Sequence, residues 1–379
     1  ADGVDNNCDG GAPECGLSGD YVRSDADYTI TAASYTVRLG TTLLAMDVNG
    51  DGVDELLVED SRTGSYGELY IVEGATASDT IDTFSATLIE GTSDCKLNSS
   101  LGNAGDVDGD GYEDLLIGST SCNSYKGGAY LFYGSASGIA SGDMSDGVSL
   151  AGVHSYGYAG QGLIGLGDLD SDGYDDFAIT SQSGEVVIIY GSATRLTDTT
   201  LSAAASITVT GNYTNKNNIT SGDINGDGYL DLVFGNPDYS SISSAVVILG
   251  SSTGFPSSID LSTDYDYIVS ASTTNTTYAY AVSVGDIDGD GTDDVLVADQ
   301  NASDYASYAY TGSIYVYLGS ASGLSSSPDH TITGVGDYDS LAPAIHVADL
   351  DNDGTDEFMA ASGGDDTNDT NYGAVFGFD

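Results

Sequence analysis

Residues 106–118 read DVDGDGYEDLLIG, and how they are read decides the fold. The first six match the opening of an EF-hand loop, which sets carboxylates at positions 1, 3 and 5, glycine at 6, and a bidentate Glu at 12 on the following helix. Position 12 here is Ile117. The oxygen donors are instead Asp106, Asp108, Asp110 and, at position 9, Asp114, with Gly111 at the sharp turn. LLIG follows, an apolar run too short for a helix of about ten residues and closed by glycine, as a buried strand is. The acidic loop therefore joins strand to strand.

The pattern recurs. DVNGDGVDELLV starts at Asp47, DLDSDGYDDFAI at Asp168, DINGDGYLDLVF at Asp223, DIDGDGTDDVLV at Asp286 and DLDNDGTDEFMA at Asp349. With the Asp106 copy, successive starts lie 59, 62, 55, 63 and 63 residues apart, about the length of a four-stranded propeller blade with its loops. A short segment such as TYAYAVSVG (277–285) precedes each loop. A Tyr-, Val- and Ile-rich run ending in glycine follows it, as in GGAYLFYGSASG (127–138), GEVVIIYGSAT (184–194), SAVVILGSSTG (244–254) and GSIYVYLGSASG (312–323), the composition strands prefer. TLIEG, VSLAG, ITVTG, YIVSA and TITGV supply a fourth strand. No stretch keeps helical periodicity. The reading is an all-β β-propeller of six four-stranded blades over residues 21–379. From Asp349 onward only 31 residues remain, too few for a complete blade. DYTITAAS (27–34) matches DHTITGV (329–335), so the N-terminal strand is expected to complete the last blade and close the ring, removing open edges.

Acidic Asp-x-Asp/Asn-x-Asp-Gly-x-x-Asp/Glu loops between strands, preceded by segments such as YAYAVSVG (278–285) and joined by GNPDYS (235–240), a near match to a Gly-Ala-Pro element, resemble the FG-GAP repeats of the integrin alpha-subunit propeller and its bacterial relatives. The resemblance implies one calcium ion per loop, about six in all, bound by side chains at positions 1, 3, 5 and 9 and by the carbonyl of position 7. Carried over residue by residue, the ligands are Asp47, Asn49, Asp51, Val53 and Glu55, then Asp106, Asp108, Asp110, Tyr112 and Asp114, then Asp168, Asp170, Asp172, Tyr174 and Asp176. The remaining loops supply Asp223, Asn225, Asp227, Tyr229 and Asp231, then Asp286, Asp288, Asp290, Thr292 and Asp294, and finally Asp349, Asp351, Asp353, Thr355 and Glu357. Hard oxygen donors suit calcium over zinc or copper. Loops one and four carry one acid fewer and are expected to bind more weakly.

Charge gives that metal a role. The chain has 59 acidic and 7 basic residues, a formal net charge of −52, and 22 of the acids sit in the cages. Carboxylates about 4 Å apart repel by about 1 kcal/mol per pair even at water's dielectric, so metal-free loops should open. Such a surface argues against nucleic acid and anionic membranes, because counterion release needs Lys and Arg. No apolar run is long enough to span a bilayer.

Four cysteines allow three pairings. Their positions favour Cys8 with Cys15, and Cys95 with Cys122, and disulfides imply an oxidising, extracellular setting. Residues 1–20 are rich in Asp, Asn, Gly and Cys without strand pattern. They resemble Asp-Cys metal-binding repeats of secreted bacterial proteins and are read as part of a processed, longer precursor.

Catalytic signatures are absent from the sequence: no nucleophile elbow, metalloprotease helix or phosphate loop occurs, and His154, His330 and His346 fall in different blades. Two functions are expected. In the first, a calcium-stabilised module binds an extracellular protein or glycan through Tyr156, Tyr158, Tyr278, Tyr280, Tyr305, Tyr308 and Tyr310, since tyrosine offers rigid amphipathic contact area. In the second, copies of the chain assemble head to tail into an extracellular filament or surface layer.

Overall fold

A computed structural model describes residues 30–31, 39–61, 66–72, 79–80, 86–97, 100–211, 218–236, 243–270, 277–300, 302–304, 309–334, 340–349, 354–365 and 372–378. The chain is all-β, with six propeller blades each built around one acidic loop. It divides into two compact units. One comprises residues 26–217 and 251–264 and holds blades one to three; the other comprises 1–25, 218–250 and 265–379 and holds blades four to six.

In the first unit, blade two is the antiparallel series Ser100–Asn103, Leu115–Gly118, Gly128–Phe132 and Val148–Ala151. Blade one repeats it with Leu39–Met46, Glu55–Asp60, Glu68–Val72 and Thr87–Glu90, and blade three with Gly162–Gly167, Asp176–Thr180, Val186–Ile189 and Ile207–Thr210. Each of these sheets has a fifth strand. Gly142–Asp143, Thr199–Thr200 and Ser258–Asp260 run parallel to Thr87–Glu90, Val148–Ala151 and Ile207–Thr210, covering edges that would otherwise expose unpaired backbone groups.

The second unit holds Ile219–Gly222, Asp231–Asn236, Ser244–Ile248 and Tyr267–Ser270 as blade four, and Tyr278–Gly285, Asp294–Asp299, Ser313–Tyr317 and His330–Thr333 as blade five. Blade six has three strands among the described residues: Leu341–Ala348, Glu357–Asp365 and Tyr372–Phe378. The N-terminal segment departs from expectation. Ile30–Thr31 pairs in parallel with Asp79–Thr80, not in the sheet of blade six. A β pattern identifies a strand but not the edge it will join, and DYTIT matched DHTIT only in pattern.

Burial explains the sequence of the strands. LLIG (Leu115–Gly118) and Asp176–Thr180 are buried along their whole length, because a blade is covered on both faces and its inner strands need no polar side. Leu57, Leu69, Leu115 and Ile117 share one core in the first unit, and Leu116, Leu131, Phe177 and Ile189 the next. In the second unit Val233, Val247, Val295 and Tyr317 form one core, and Leu296, Ile314, Phe358 and Ala360 another.

Cys95 and Cys122 form a disulfide, with S–S 2.05 Å, that closes 27 residues around the first two strands of blade two. Cys8 and Cys15 lie outside the described residues, as does segment 1–20. A 27-residue disulfide loop is worth about 3.5 kcal/mol through the unfolded chain. Replacing both Cys95 and Cys122 with serine is therefore expected to lower unfolding free energy in urea by about that amount; an unchanged midpoint would show that the bridge adds nothing.

Candidate metal centres

Each loop winds around its first carboxylate. Asp106 Oδ1 accepts the N–H groups of Gly109 and Asp110 at 2.8 and 3.0 Å, and Oδ2 that of Gly111 at 2.8 Å. Asp47 is cradled in the same way, and hydrogen bonds led by the Gly52 N–H hold its carboxyl below the usual range. Asp168, Asp223 and Asp286 accept from positions 5 and 6, and Asp349 accepts the Gly354 N–H at 3.0 Å. Position 6 is glycine in all six loops, at φ between 84° and 93°. A Cβ there would touch nothing within 4 Å, so the left-handed backbone alone selects glycine. The fifth carboxylate then orients position 7: Asp51, Asp110, Asp172, Asp227 and Asp290 accept the N–H of Val53, Tyr112, Tyr174, Tyr229 and Thr292.

The ninth position has two tasks. Asp114 Oδ2 accepts the Val107 N–H at 3.0 Å inside the loop, and Oδ1 accepts the Gly134 N–H at 2.8 Å just past the third strand. Asp176 joins Leu169 to Gly191, Asp231 joins Ile224 to Gly250, and Asp294 joins Ile287 to Gly319. All four carboxylates are buried. Burial pushes Asp114, Asp176 and Asp231 up to about 7 and Asp294 up to about 6, although the two N–H donors pull the other way.

The eighth position was not singled out in the sequence. Asp175 there faces away from its own cage and reaches the neighbouring loop. Asp175 Oδ2 accepts the Asp106 N–H at 2.8 Å while its own N–H donates to the Asp106 carbonyl at 3.1 Å. Asp293 does the same to Asp223, and Asp356 to Asp286; Glu113 Oε2 accepts the Asp47 N–H at 2.8 Å. Consecutive loops within a unit are thus clasped. Loop four carries Leu230 at this position, which has no acceptor to offer.

The carboxylates fit a cation. Among the described residues, three carboxylate oxygens lie within 4.8 Å of one another in Asp47/Asp51/Glu55, Asp106/Asp108/Asp114, Asp168/Asp170/Asp176 and Asp286/Asp288/Asp290. Asp170 Oδ1 is buried without a hydrogen-bond partner, and burial together with Asp172 and Asp168 raises its pKa. An orphaned anionic oxygen beside two more is the electrostatic deficit that a hard cation removes. In loop two a side chain supplies positive charge: Arg195 donates through Nε to Asp108 Oδ2 and through Nη2 to Asp110 Oδ2 at 2.7 Å, and it lies 4.4 Å over the Tyr133 ring.

The asparagines behave differently from carboxylates. Asn49 Oδ1 accepts the Asp51 N–H while its amide nitrogen donates to Glu55 Oε1 at 2.7 Å. Asn225 accepts from the Asp227 N–H and donates to Asp227 Oδ2 at 3.2 Å. Each turns a donor toward a cage carboxylate. In loop six, Asp351 and Asp353 lie outside the described residues.

The tyrosines separate into distinct environments. Tyr156 is exposed and Tyr158 half-buried, and both meet Tyr125, which the sequence did not single out. Tyr278 is a correction: it is 2% exposed, with its hydroxyl 2.5 Å from that of Tyr317 in the core. A register shift between Tyr278 and Val282 sets it there, and the same shift at Leu39/Leu43 and Leu341/Ile345 puts leucine in that place. Tyr280 is half-buried. Tyr310 lies in the strand Ala309–Tyr310, and Tyr305 and Tyr308 fall outside the described residues.

Acidic strand–loop–strand hairpins, one per propeller blade, define the class, and comparison with known proteins gives the family. The FG-GAP-like repeat matches residues 168–234, and the FG-GAP repeat matches 98–132 and 278–317. The chain carries FG-GAP repeats in an integrin-alpha-like β-propeller. It is similar to phosphatidylinositol-glycan-specific phospholipase D of Mus musculus, 33% identical over 150 residues, covering 38% of this chain and 18% of that protein. Integrin alpha-PS5 of Drosophila melanogaster is 29% identical over 161 residues, 40% of this chain and 16% of that one. Integrin alpha-4 of Xenopus laevis is 29% identical over 156 residues, 37% and 14%. The matched region spans less than a fifth of each relative's length.

Two outcomes follow from this geometry. Asp293→Leu, which installs the residue loop four already has, removes one charge-assisted hydrogen bond and is expected to cost about 1–2 kcal/mol in urea unfolding, whereas Asp293→Asn keeps an acceptor and most of the stability. Equal stability of the leucine variant and the parent would show that the clasp contributes nothing. The second outcome concerns pH. With folded pKa values of about 6 to 7 against about 3.9 when unfolded, the ninth-position acids hold protons more tightly in the folded state. Their contribution is full below about pH 4 and is lost as pH rises through about 6 to 7. Metal-free protein should melt lower at about pH 8 than at about pH 5, and a melting temperature that climbed between them would contradict this assignment.

Proposed function

We propose that this chain is a calcium-stabilised, non-catalytic recognition module that works outside the cell and takes a protein or glycan as partner. The observation that carries the reading is the convergence of three carboxylates in each of four described loops, one with a buried, unpartnered oxygen at Asp170. Asp168, Asp170, Asp172 and Asp176 with the Tyr174 carbonyl would hold one ion, and the equivalent residues of the other loops the rest, about six in all. The ion supplies charge neutralisation. The chain supplies a loop already wound by backbone N–H groups, so little reorganisation opposes binding.

Other features support the setting and the absence of chemistry. The Cys95–Cys122 disulfide suits an oxidising compartment, and no helix among the described residues is long and apolar enough to cross a membrane. His330 and His346 sit on strands of separate blades, and His154 lies beside Glu185 on loops elsewhere. The lipase activity named for one relative belongs to a protein of which this chain matches 18%. A propeller that presents loops on rigid sheets is a suitable scaffold for binding.

Calorimetric melting in millimolar calcium and after chelation tests the metal, with light scattering on the same samples testing the role. One site at hundredfold excess over its Kd adds about 2.7 kcal/mol, so several sites should raise Tm by roughly 10 °C or more, with the 38.6 kDa monomer retained. An unchanged Tm on chelation would overturn the calcium assignment. Large calcium-dependent polymers would instead identify the structural subunit of a filament or surface layer.

A further inference from the structure

We propose that Tyr125, Tyr156 and Tyr158, edged by His154 and Glu185, form a platform that binds a neutral oligosaccharide. This rests on the recognition reading above and gives it a site and a ligand class.

The first support is backbone strain. Nine non-glycine residues among those described have positive φ, and five of them lie in two touching loops: Asn123 (53°), Ser124 (60°), Tyr125 (66°), Tyr156 (55°) and Tyr158 (49°). Left-handed backbone is costly for any L residue with a Cβ, and it persists only where surrounding structure enforces it. Burial does not repay the cost here, because Tyr125 is 51% and Tyr156 68% exposed. What enforces the conformation is a set of backbone bonds. Tyr158 N–H donates to the Tyr125 carbonyl at 3.2 Å, Ala159 N–H to Lys126 at 3.0 Å and Gln182 N–H to Gly157 at 2.8 Å, and the disulfide anchors the first loop at Cys122. The rings are held ready rather than gathered by a ligand.

The second support is what the platform displays. Tyr125 and Tyr156 stack with centroids 6.2 Å apart and planes 11° from parallel, and Tyr158 tilts against Tyr125 at 5.9 Å. Beside them His154 Nε2 lies 3.2 Å from Glu185 Oε2, and these two line an adjoining small cavity with Lys126, Ser181 and Ser183. Aromatic faces are electron-rich and attract the polarised C–H groups of a pyranose face, while imidazole, carboxylate and hydroxyls match sugar hydroxyls at the edge.

Magnitudes choose between partners. A stable protein interface needs about 800 Å² from each side. Here the exposed large apolar side chains are Tyr125, Tyr156 and Val153, the last only 36% exposed, an area suited to one or two sugar rings. A net charge of −52 disfavours acidic glycans, so the ligand is neutral.

The test titrates the full chain, saturated with calcium, with neutral tetrasaccharides of glucose, galactose, mannose and N-acetylglucosamine by calorimetry. At least one should bind, and Tyr125→Ala and Tyr156→Ala should each weaken it about tenfold or more, while Tyr265→Ala, an exposed tyrosine elsewhere, leaves it unchanged. Tyr156→Gly separates function from folding: it should lose binding while melting at or above the parent temperature, because glycine relaxes the φ of 55°. Binding that survives both alanine variants, or no tetrasaccharide bound, overturns the proposal. A protein ligand lost in the same variants would overturn only the sugar assignment and keep the recognition reading, whereas calcium-driven polymers without any soluble ligand would retire that reading itself.

Discussion

In loops two to five the ninth-position carboxylate places one oxygen on a backbone N–H within its own loop and the other on the N–H of the glycine just past the third strand. Three segments of each blade meet at this one group. The glycine is required by distance: a Cβ on Gly134, Gly191, Gly250 or Gly319 would come within 2.2 to 2.5 Å of the carbonyl of the loop's eighth residue. Burial of a carboxylate is costly, and the raised pKa of these acids expresses that cost in the metal-free chain. A cation at the same loop would offset it, so the atoms that hold the blade together are also those that a bound cation would neutralise.

That coupling spreads through the eighth position. In the first unit Glu113 and Asp175 tie loops one to two and two to three; in the second, Asp293 and Asp356 tie four to five and five to six. Serine after the third strand adds a parallel link, with Ser135, Ser192 and Ser320 donating to the carbonyls of Val48, Val107 and Ile224 in the preceding loops. A loop therefore cannot change shape without disturbing the backbone of its neighbour. Arg195 adds an asymmetry, since loop two alone among the described loops has its third and fifth carboxylates bridged by a guanidinium.

Much of this was legible in the sequence because repetition makes a weak signal strong. One Asp-Gly turn says little, but six in register fix the blades, the second strands and the glycines behind them. What stayed hidden depends on neighbours in space. Asp175 points away from its own cage, as alternation requires, and only the adjacent loop shows what it meets. Tyr278 looked like a binding residue in a tyrosine-rich segment, yet Leu39 and Leu341 at the equivalent bulges already spoke for a core position. The partner of Ile30–Thr31 was not encoded by a β pattern that several edges could accept. Tyr125, in SCNSYKGG, carried no signal at all, because residue type does not announce a left-handed backbone.

Repetition also separates scaffold from specific function. Most departures from local preference recur with the blades. Ser171 has positive φ at the loop position where Gly50, Gly109, Gly226 and Gly289 stand elsewhere, and Ala279 and Ala342 have it where blade one uses Gly40. Those distortions belong to the propeller, and six copies of the fold account for them. The left-handed residues at 123–125, 156 and 158 have no such counterparts among the described blades. A feature that the repeat explains needs no further cause; one that occurs once, holds two aromatic rings in water and is braced by backbone bonds and a disulfide is not explained by the fold. Natural sequences depart from local preference chiefly where function asks for it, and in this chain that reasoning leads to the tyrosine platform.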